Sequence, residues 1–102
     1  MANISYKHFT LGVEEEYMVL DPKTCELKSH DQKIVQEGQK IIKDKVKAEM
    51  HQAVVEVGTD ICADVDEAFI DVATLRKTIS SIAEDLDLWV GASGTHPFSH
   101  WE

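Results

Sequence analysis

Three consecutive glutamates, Glu14-Glu15-Glu16, stand inside a run that is otherwise largely apolar, Phe9 to Leu20. Glutamate is disfavoured in strands, and a half-buried strand wants alternation rather than three acids together. Alternation puts Glu14 and Glu16 on one face with Gly12, Met18 and Leu20, and turns Glu15 to the face of Phe9, Leu11, Val13, Tyr17 and Val19. Same-face neighbours lie about 6.6 Å apart along a strand. Two carboxylates at that spacing repel by about 2.5 kcal/mol at an effective dielectric of 20, but by about 0.6 kcal/mol in bulk water. On a wet face the pair is cheap; in a concave site it calls for a cation, and Mg²⁺ or Mn²⁺ takes carboxylate oxygens readily.

A second acidic pair, Glu49 and Glu56, lies in a segment that turns apolar at Val54-Val55. Their separation is odd, so a regular strand sends them to opposite faces, and a bulge or bend is needed to bring both to one site. A solvated polar face accounts for either pair by itself. Four carboxylates on two strands able to lie side by side are harder to explain in that way than either pair.

The elements that must position these residues follow from period and punctuation. Asp21-Pro22-Lys23-Thr24 is a turn, and Glu26 to Lys28 is a short returning strand that completes a hairpin. Ser29 or Asp31 can cap a helix to about Lys45, with Ile34, Val35, Ile41 and Ile42 as its apolar stripe; Gly38 weakens it by roughly 1 kcal/mol relative to alanine. Val46 to Gly58 reads as a second long strand. Asp64, with Glu67 three residues on, caps a second helix whose stripe is Phe69, Val72, Ala73, Ile79, Ile82, Ala83 and Leu86. Leu88 to Ala92 is a final strand. The order ββαβαβ over a single domain, residues 1–102, is α+β with a mainly antiparallel sheet.

Composition narrows the function classes. Ten basic and nineteen acidic side chains give a net charge of −9, which argues against a nucleic-acid backbone or an anionic membrane as partner. No apolar run approaches the roughly 18 residues of a spanning helix, and Met1 to His8 lacks a secretory pattern, so a cytoplasmic location is expected. Cys25 and Cys62 lack Cys-x-x-Cys spacing and read as reduced thiols. His96, held extended by Pro97, reads first as capping a strand end, with orienting a substrate group from the loop as the alternative role. His51 shares the parity of Glu49, which makes it a possible ligand or a packed side chain. Arg76 stands on the second helix within reach of a carboxylate, and Trp89 and Trp101 read as core or end-plug aromatics. No residue is singled out as catalytic.

Taken together, three segments resemble one family. Thr10-Leu11-Gly12-Val13-Glu14-Glu15-Glu16-Tyr17 resembles the Gly-hydrophobic-Glu-x-Glu opening strand of the glutamate–cysteine ligase type 2 family, the carboxylate–amine ligases. Glu49 to Thr59 is similar to that family's second acidic strand, and Gly94-Thr95-His96-Pro97-Phe98, followed by Trp101, to its Gly-Thr-His-Pro-Phe segment. The resemblance implies a glutamine-synthetase-like catalytic sheet and an ATP-dependent ligase. In such enzymes ATP phosphorylates a side-chain carboxylate and an amine attacks the acyl phosphate to form an amide. It places Glu14, Glu16, Glu49 and Glu56 on metal-binding positions for Mg²⁺ or Mn²⁺ and Glu15 on a variable one, and it implies ATP and small amino-acid substrates as partners. These ligases run to several hundred residues, and the resemblance covers their N-terminal part. The chain is therefore expected to carry half a metal site and to show little or no turnover by itself. The alternative is a non-catalytic cation-binding or oligomerising module of the same fold. Unpaired sheet edges and an uncovered apolar face lead to an expected homo-oligomer.

Overall fold

The structure is a computed structural model and describes residues 9–48, 53–93 and 95–99. Four strands form: β1 (Glu14–Leu20), β2 (Val46–Ala48), β3 (Val54–Gly58) and β4 (Trp89–Gly91). Two helices accompany them, α1 (Asp31–Ile42) and α2 (Val65–Asp85). All pairings are antiparallel, in the order β2-β3-β1-β4. The α+β class with an antiparallel sheet is therefore the one the sequence implies, but the elements run β-α-β-β-α-β rather than ββαβαβ.

Two segments account for that difference. The expected returning strand at Glu26 to Lys28 is a single bridge between Leu27 and Leu20. The Asp21 carboxylate accepts from the Lys23 and Thr24 amides at 2.7 and 3.0 Å, and Cys25 adopts φ 62°. The chain is thus wound tightly just where a strand would have to begin. The expected long strand from Val46 to Gly58 is two strands that pair with each other, Val46 with Val57, Lys47 with Glu56 and Ala48 with Val55. The chain reverses between Ala48 and Val54, so odd spacing no longer decides which face Glu49 and Glu56 share. Glu49 and His51 themselves lie outside the described residues.

Both helices cover the sheet face that carries Tyr17, Val19, Val46, Val55 and Val57, closing a core with Ile34, Val35, Leu75, Ile79, Ile82, Ala83 and Leu88. Each large aliphatic side chain fully buried here contributes about 1.5–3 kcal/mol. Gly38 is buried in α1, and a Cβ there would stand 3.0 Å from Val46 Cγ1. The glycine lets the helix lie close on β2, which offsets its low helix propensity. The N-cap position is His30, with no side-chain cap; Asp31 is instead the first helical residue, buried, and desolvation raises its pKa. Ile41, expected in the stripe, is exposed.

Helix α1 stops at Lys43, whose φ of 54° and ψ of −126° suit glycine rather than a side chain, and one 3₁₀ turn (Lys43–Lys45) leads into β2. Such a conformation costs a non-glycine residue about 1–3 kcal/mol. Lys43→Gly is expected to stabilise the chain by about 1 kcal/mol, roughly 4 °C in Tm, as scanning calorimetry would show.

Helix α2 opens as the sequence implies. The Asp64 carboxylate accepts from the Glu67 amide at 2.9 Å, and Glu67 reaches back to the Ala63 amide at 2.7 Å. Its buried residues are Ala68, Leu75, Ile79, Ile82 and Ala83, so Leu75 replaces Phe69 and Ala73, which are exposed. The helix has 21 residues and is about 31 Å long. Burial concentrates in its second half, and Val65, Phe69 and Ile70 in the first half face outward. Among the described residues no helix is long and apolar enough to cross a membrane.

Candidate carboxylate site

The sheet face turned away from the helices carries the acids. In the β1–β3 register Glu16 stands directly opposite Glu56, and Glu14 opposite Gly58. The Thr59 amide donates to the Val13 carbonyl at 2.9 Å and the Val19 amide to the Ala53 carbonyl at 2.7 Å. Odd-numbered residues of β1 therefore hold the hydrogen-bonded positions facing β3, and Glu16–Glu56 is a non-hydrogen-bonded pair. That is the closer of the two antiparallel pair types, with Cα atoms about 4.5 Å apart. Like charges directly opposite are destabilising unless a counterion or water relieves them. Gly58 leaves the space beside Glu14 open; a Cβ there would meet Glu14 Cγ at 3.8 Å.

Positive charge reaches this face from one side. Lys47 opposes Glu56 from β2, and an open cleft of about 240 Å³ runs past Glu14, Asp44, Lys45, Lys47, Glu56 and Asp60. Lys45 Nζ bonds Asp60 at 2.8 Å and lies 3.5 Å from Asp71, and the hydrogen bond to Asp60 is the main cause of its raised pKa. The Asp71 carboxylate also accepts from the Asp60 amide at 2.8 Å. This network ties the turn after α1 to the loop after β3 and to α2, and so fixes one wall of the cleft.

Among the described residues no three His, Cys, Asp or Glu side chains cluster closely enough to enclose a metal ion. What the face offers is a facing pair, Glu16 and Glu56, with Glu14 on the same side. That donor set fits Mg²⁺, which is commonly held by one or two carboxylates together with waters and substrate phosphates rather than by an all-protein cage.

Glu15 points to the opposite face, as alternation requires, and is fully engaged there. Arg76 Nε donates to it at 2.7 Å, Arg76 Nη2 donates to its second oxygen, and the Tyr17 hydroxyl donates to it at 2.7 Å. The Arg76 guanidinium holds the Glu15 carboxyl below its usual range despite partial burial. Burial first, and Glu15 second, push the Tyr17 hydroxyl up. Sequence alone gave Arg76 a carboxylate within reach but could not name which.

His96 is buried, and both its ring nitrogens are occupied. Nδ1 accepts from the Phe98 and Ser99 amides at 3.1 and 2.9 Å, which leaves the proton on Nε2 to donate to the Cys25 carbonyl at 2.6 Å. The Phe98 ring meets it edge-on at 4.5 Å. The ring thus presents no free nitrogen to a substrate in this arrangement; it clamps the segment after β4 to the loop after β1. Cys62 is buried and donates to the Asp60 carbonyl at 3.2 Å, Cys25 is exposed, and both are free thiols. Trp89 is exposed on β4 rather than packed in the core. Trp101 and Gly94 lie outside the described residues.

A model of the glutamate-cysteine ligase family 2 matches residues 10–102. Among curated relatives, a protein of Herpetosiphon aurantiacus named "Putative glutamate--cysteine ligase 2" is 50% identical over 94 residues, covering 92% of this chain and 24% of the relative. Proteins of the same name from Chloroflexus aurantiacus and Roseiflexus castenholzii are each 46% identical over 93 residues, covering 91% of this chain and 24% of their own length. The chain spans about a quarter of the length of these relatives. With three acids of the resembling strands on one sheet face and the family match running over nearly every residue, the chain belongs to the glutamate-cysteine ligase family 2.

Proposed function

We propose that the open sheet face holds Mg²⁺ or Mn²⁺ between Glu16 and Glu56, with Glu14 beside them, and through it the phosphates of ATP. The reaction served is carboxylate–amine ligation. The γ-phosphoryl group of ATP passes to a side-chain carboxylate, giving an acyl phosphate and ADP. An amine then attacks the acyl carbon, phosphate leaves, and the nitrogen loses a proton to complete the amide. The observation that carries the reading is the non-hydrogen-bonded Glu16–Glu56 pair, two like charges face to face on a strand scaffold. A bound divalent ion neutralises phosphate charge during phosphoryl transfer. The strands hold the carboxylates more rigidly than a loop would, and Lys47 beside Glu56 limits the negative potential when no cation is present.

The resemblance carries Glu49 to the same site as a fourth ligand. The whole ligase activity, its ATP and amino-acid substrates, and the weak turnover of this chain by itself all belong to the proposal, because the curated relatives are about four times longer. Calorimetric titration with Mg²⁺ or Mn²⁺, with and without ATP, is the test. Cation binding that ATP strengthens supports the reading; the absence of any cation binding removes it, and binding indifferent to ATP favours the non-catalytic cation-binding module.

A homo-oligomer is part of the same proposal. Val65 and Phe69 are 72% and 73% exposed, and their spacing puts them on one side of the first turns of α2, while Ile61, 80% exposed, stands in the loop before the helix. Sedimentation velocity is expected to show concentration-dependent association that Phe69→Ser weakens; a monomer at every concentration would contradict it.

A further inference from the structure

We propose that His96 is an acid-opened latch: with its ring neutral it fastens residues 95–99 to the turn after β1, and uptake of a proton lets that segment go. Nothing in this rests on the ligase reading above. Residues 95–99 form no helix or strand, and Thr95, Pro97 and Phe98 are exposed. His96 is the one buried side chain of the segment, only 6% exposed. Among the described residues two hydrogen bonds join the segment to the turn: His96 Nε2 to the Cys25 carbonyl at 2.6 Å, and the Leu27 amide to Ser99 Oγ at 3.3 Å. The attachment therefore depends on a single titratable ring.

The way the ring is held decides the sign of the effect. Nδ1 accepts from the Phe98 and Ser99 amides at 3.1 and 2.9 Å, which places the ring's one proton on Nε2, where it donates to Cys25. A second proton can go only to Nδ1. There it would meet two N–H donors head-on, and both bonds that fold residues 96–99 onto the ring would be lost. The closed form has no place for that proton and the open form has one, so acidification favours opening by linkage. Histidine is the side chain whose ordinary charge change falls between about pH 5 and 8.

The ionisable groups that face the latch come from the turn. Asp21 is already engaged: its carboxylate accepts from the Lys23 and Thr24 amides and lies 3.4 Å from Lys28 Nζ. Those bonds, the Thr24 amide first, hold the Asp21 carboxyl below its usual range, so it keeps its charge while histidines titrate. Lys23, Cys25 and Glu26 are exposed, and among the described residues none of their side chains bonds the ring. Strand β4 and the rest of residues 95–99 carry no titratable side chain. No carboxylate is thus in place to keep a charged His96 in its seat. Cys25 also adopts φ 62°, uncommon for a residue with a side chain, so freeing its carbonyl relieves the turn as well. The latch lies beyond Leu20, about 13 Å along β1 from Glu16, which separates its opening from the carboxylate face.

The test follows the full 102-residue chain, ¹⁵N-labelled, by NMR from about pH 7.5 to about pH 5. At the start the His96 ring is expected to show the Nε2–H tautomer. On acidification the Leu27, Phe98 and Ser99 amides should move together with the ring. Their protection from exchange should fall about tenfold or more, while the Leu75 and Ile79 amides stay in place. In His96→Asn the carboxamide oxygen can accept from the two amides as Nδ1 does but takes up no proton, so the response of the three amides should vanish. Every other histidine is kept in that variant; a response that persists belongs to them and overturns the proposal. So would an Nδ1–H tautomer at the start, a ring still neutral at the acid end, or amides that stay still while the ring titrates. Loss of the Leu75 and Ile79 signals in step with the three amides would also overturn it, since that is unfolding of the whole chain. If His96→Asn does not fold, the wild-type tautomer and the coupling of ring to amides decide by themselves.

Discussion

Glu16→Gln is expected to cut divalent-cation affinity about tenfold or more while raising the stability of the metal-free chain. Both effects come from one geometric fact. Glu16 faces Glu56 directly, and among the described residues no cationic side chain is paired with it from the β4 side, where the ladder is recorded only as far as Met18–Gly91. Removing one charge relieves the repulsion and takes away a ligand in the same step. Glu56→Gln should lose the cation equally but gain less stability, since Glu56 also faces Lys47. Glu15→Gln is the contrasting variant: it breaks the Arg76 pair and lowers stability, yet leaves cation titration unchanged, because its side chain is on the helix side. The check is isothermal titration with Mn²⁺ beside thermal melts in chelator. An affinity that Glu15→Gln lowers as much as Glu16→Gln would refute the assignment of faces.

The second large effect is structural. Ile79→Ala is expected to cost about 3 kcal/mol, within the roughly 2–5 kcal/mol typical of truncating a buried isoleucine. Ile79 has no exposed surface and belongs to the cluster in which both helices meet the sheet; its Cδ1 lies 3.5 Å from where a Gly38 Cβ would stand. Domains of this size hold only about 5–15 kcal/mol in total, so the loss is a substantial share of the fold. Ile41→Ala, at a position 64% exposed on α1, should stay within about 0.5 kcal/mol. Urea unfolding with an unchanged m-value would show the difference as a shift in midpoint alone.

Much of the candidate site was legible before any fold was known. Period two alone separates Glu14 and Glu16 from Glu15, and β1 keeps that parity over its whole length. The Asp64 cap on the Glu67 amide was likewise visible as spacing. The break within residues 46–58 was not legible, because neither glycine nor proline punctuates the stretch between Ala48 and Val54, and the valines at both ends read as one run. That reversal is decided by pairing: Val46 finds Val57 in the core, a non-local contact that no window of sequence displays. Phe69 misled for another reason. Helix α2 carries more apolar residues than its neighbours can cover, so hydrophobic spacing overstates the buried stripe and passes over Leu75. His96 shows the same limit at a single residue, since its partner Cys25 is 71 positions away.

The register between the two central strands has a further effect on how this chain tolerates change. Deleting one codon inside β3 would exchange its two sides, driving Glu56 into the oily layer beneath the helices and Val55 or Val57 out into water. Ion capture and folding would then fail as one event. Point substitutions can tune either property separately, but indels here cannot, so variants that survive by length change must gain or lose residues outside these ladders.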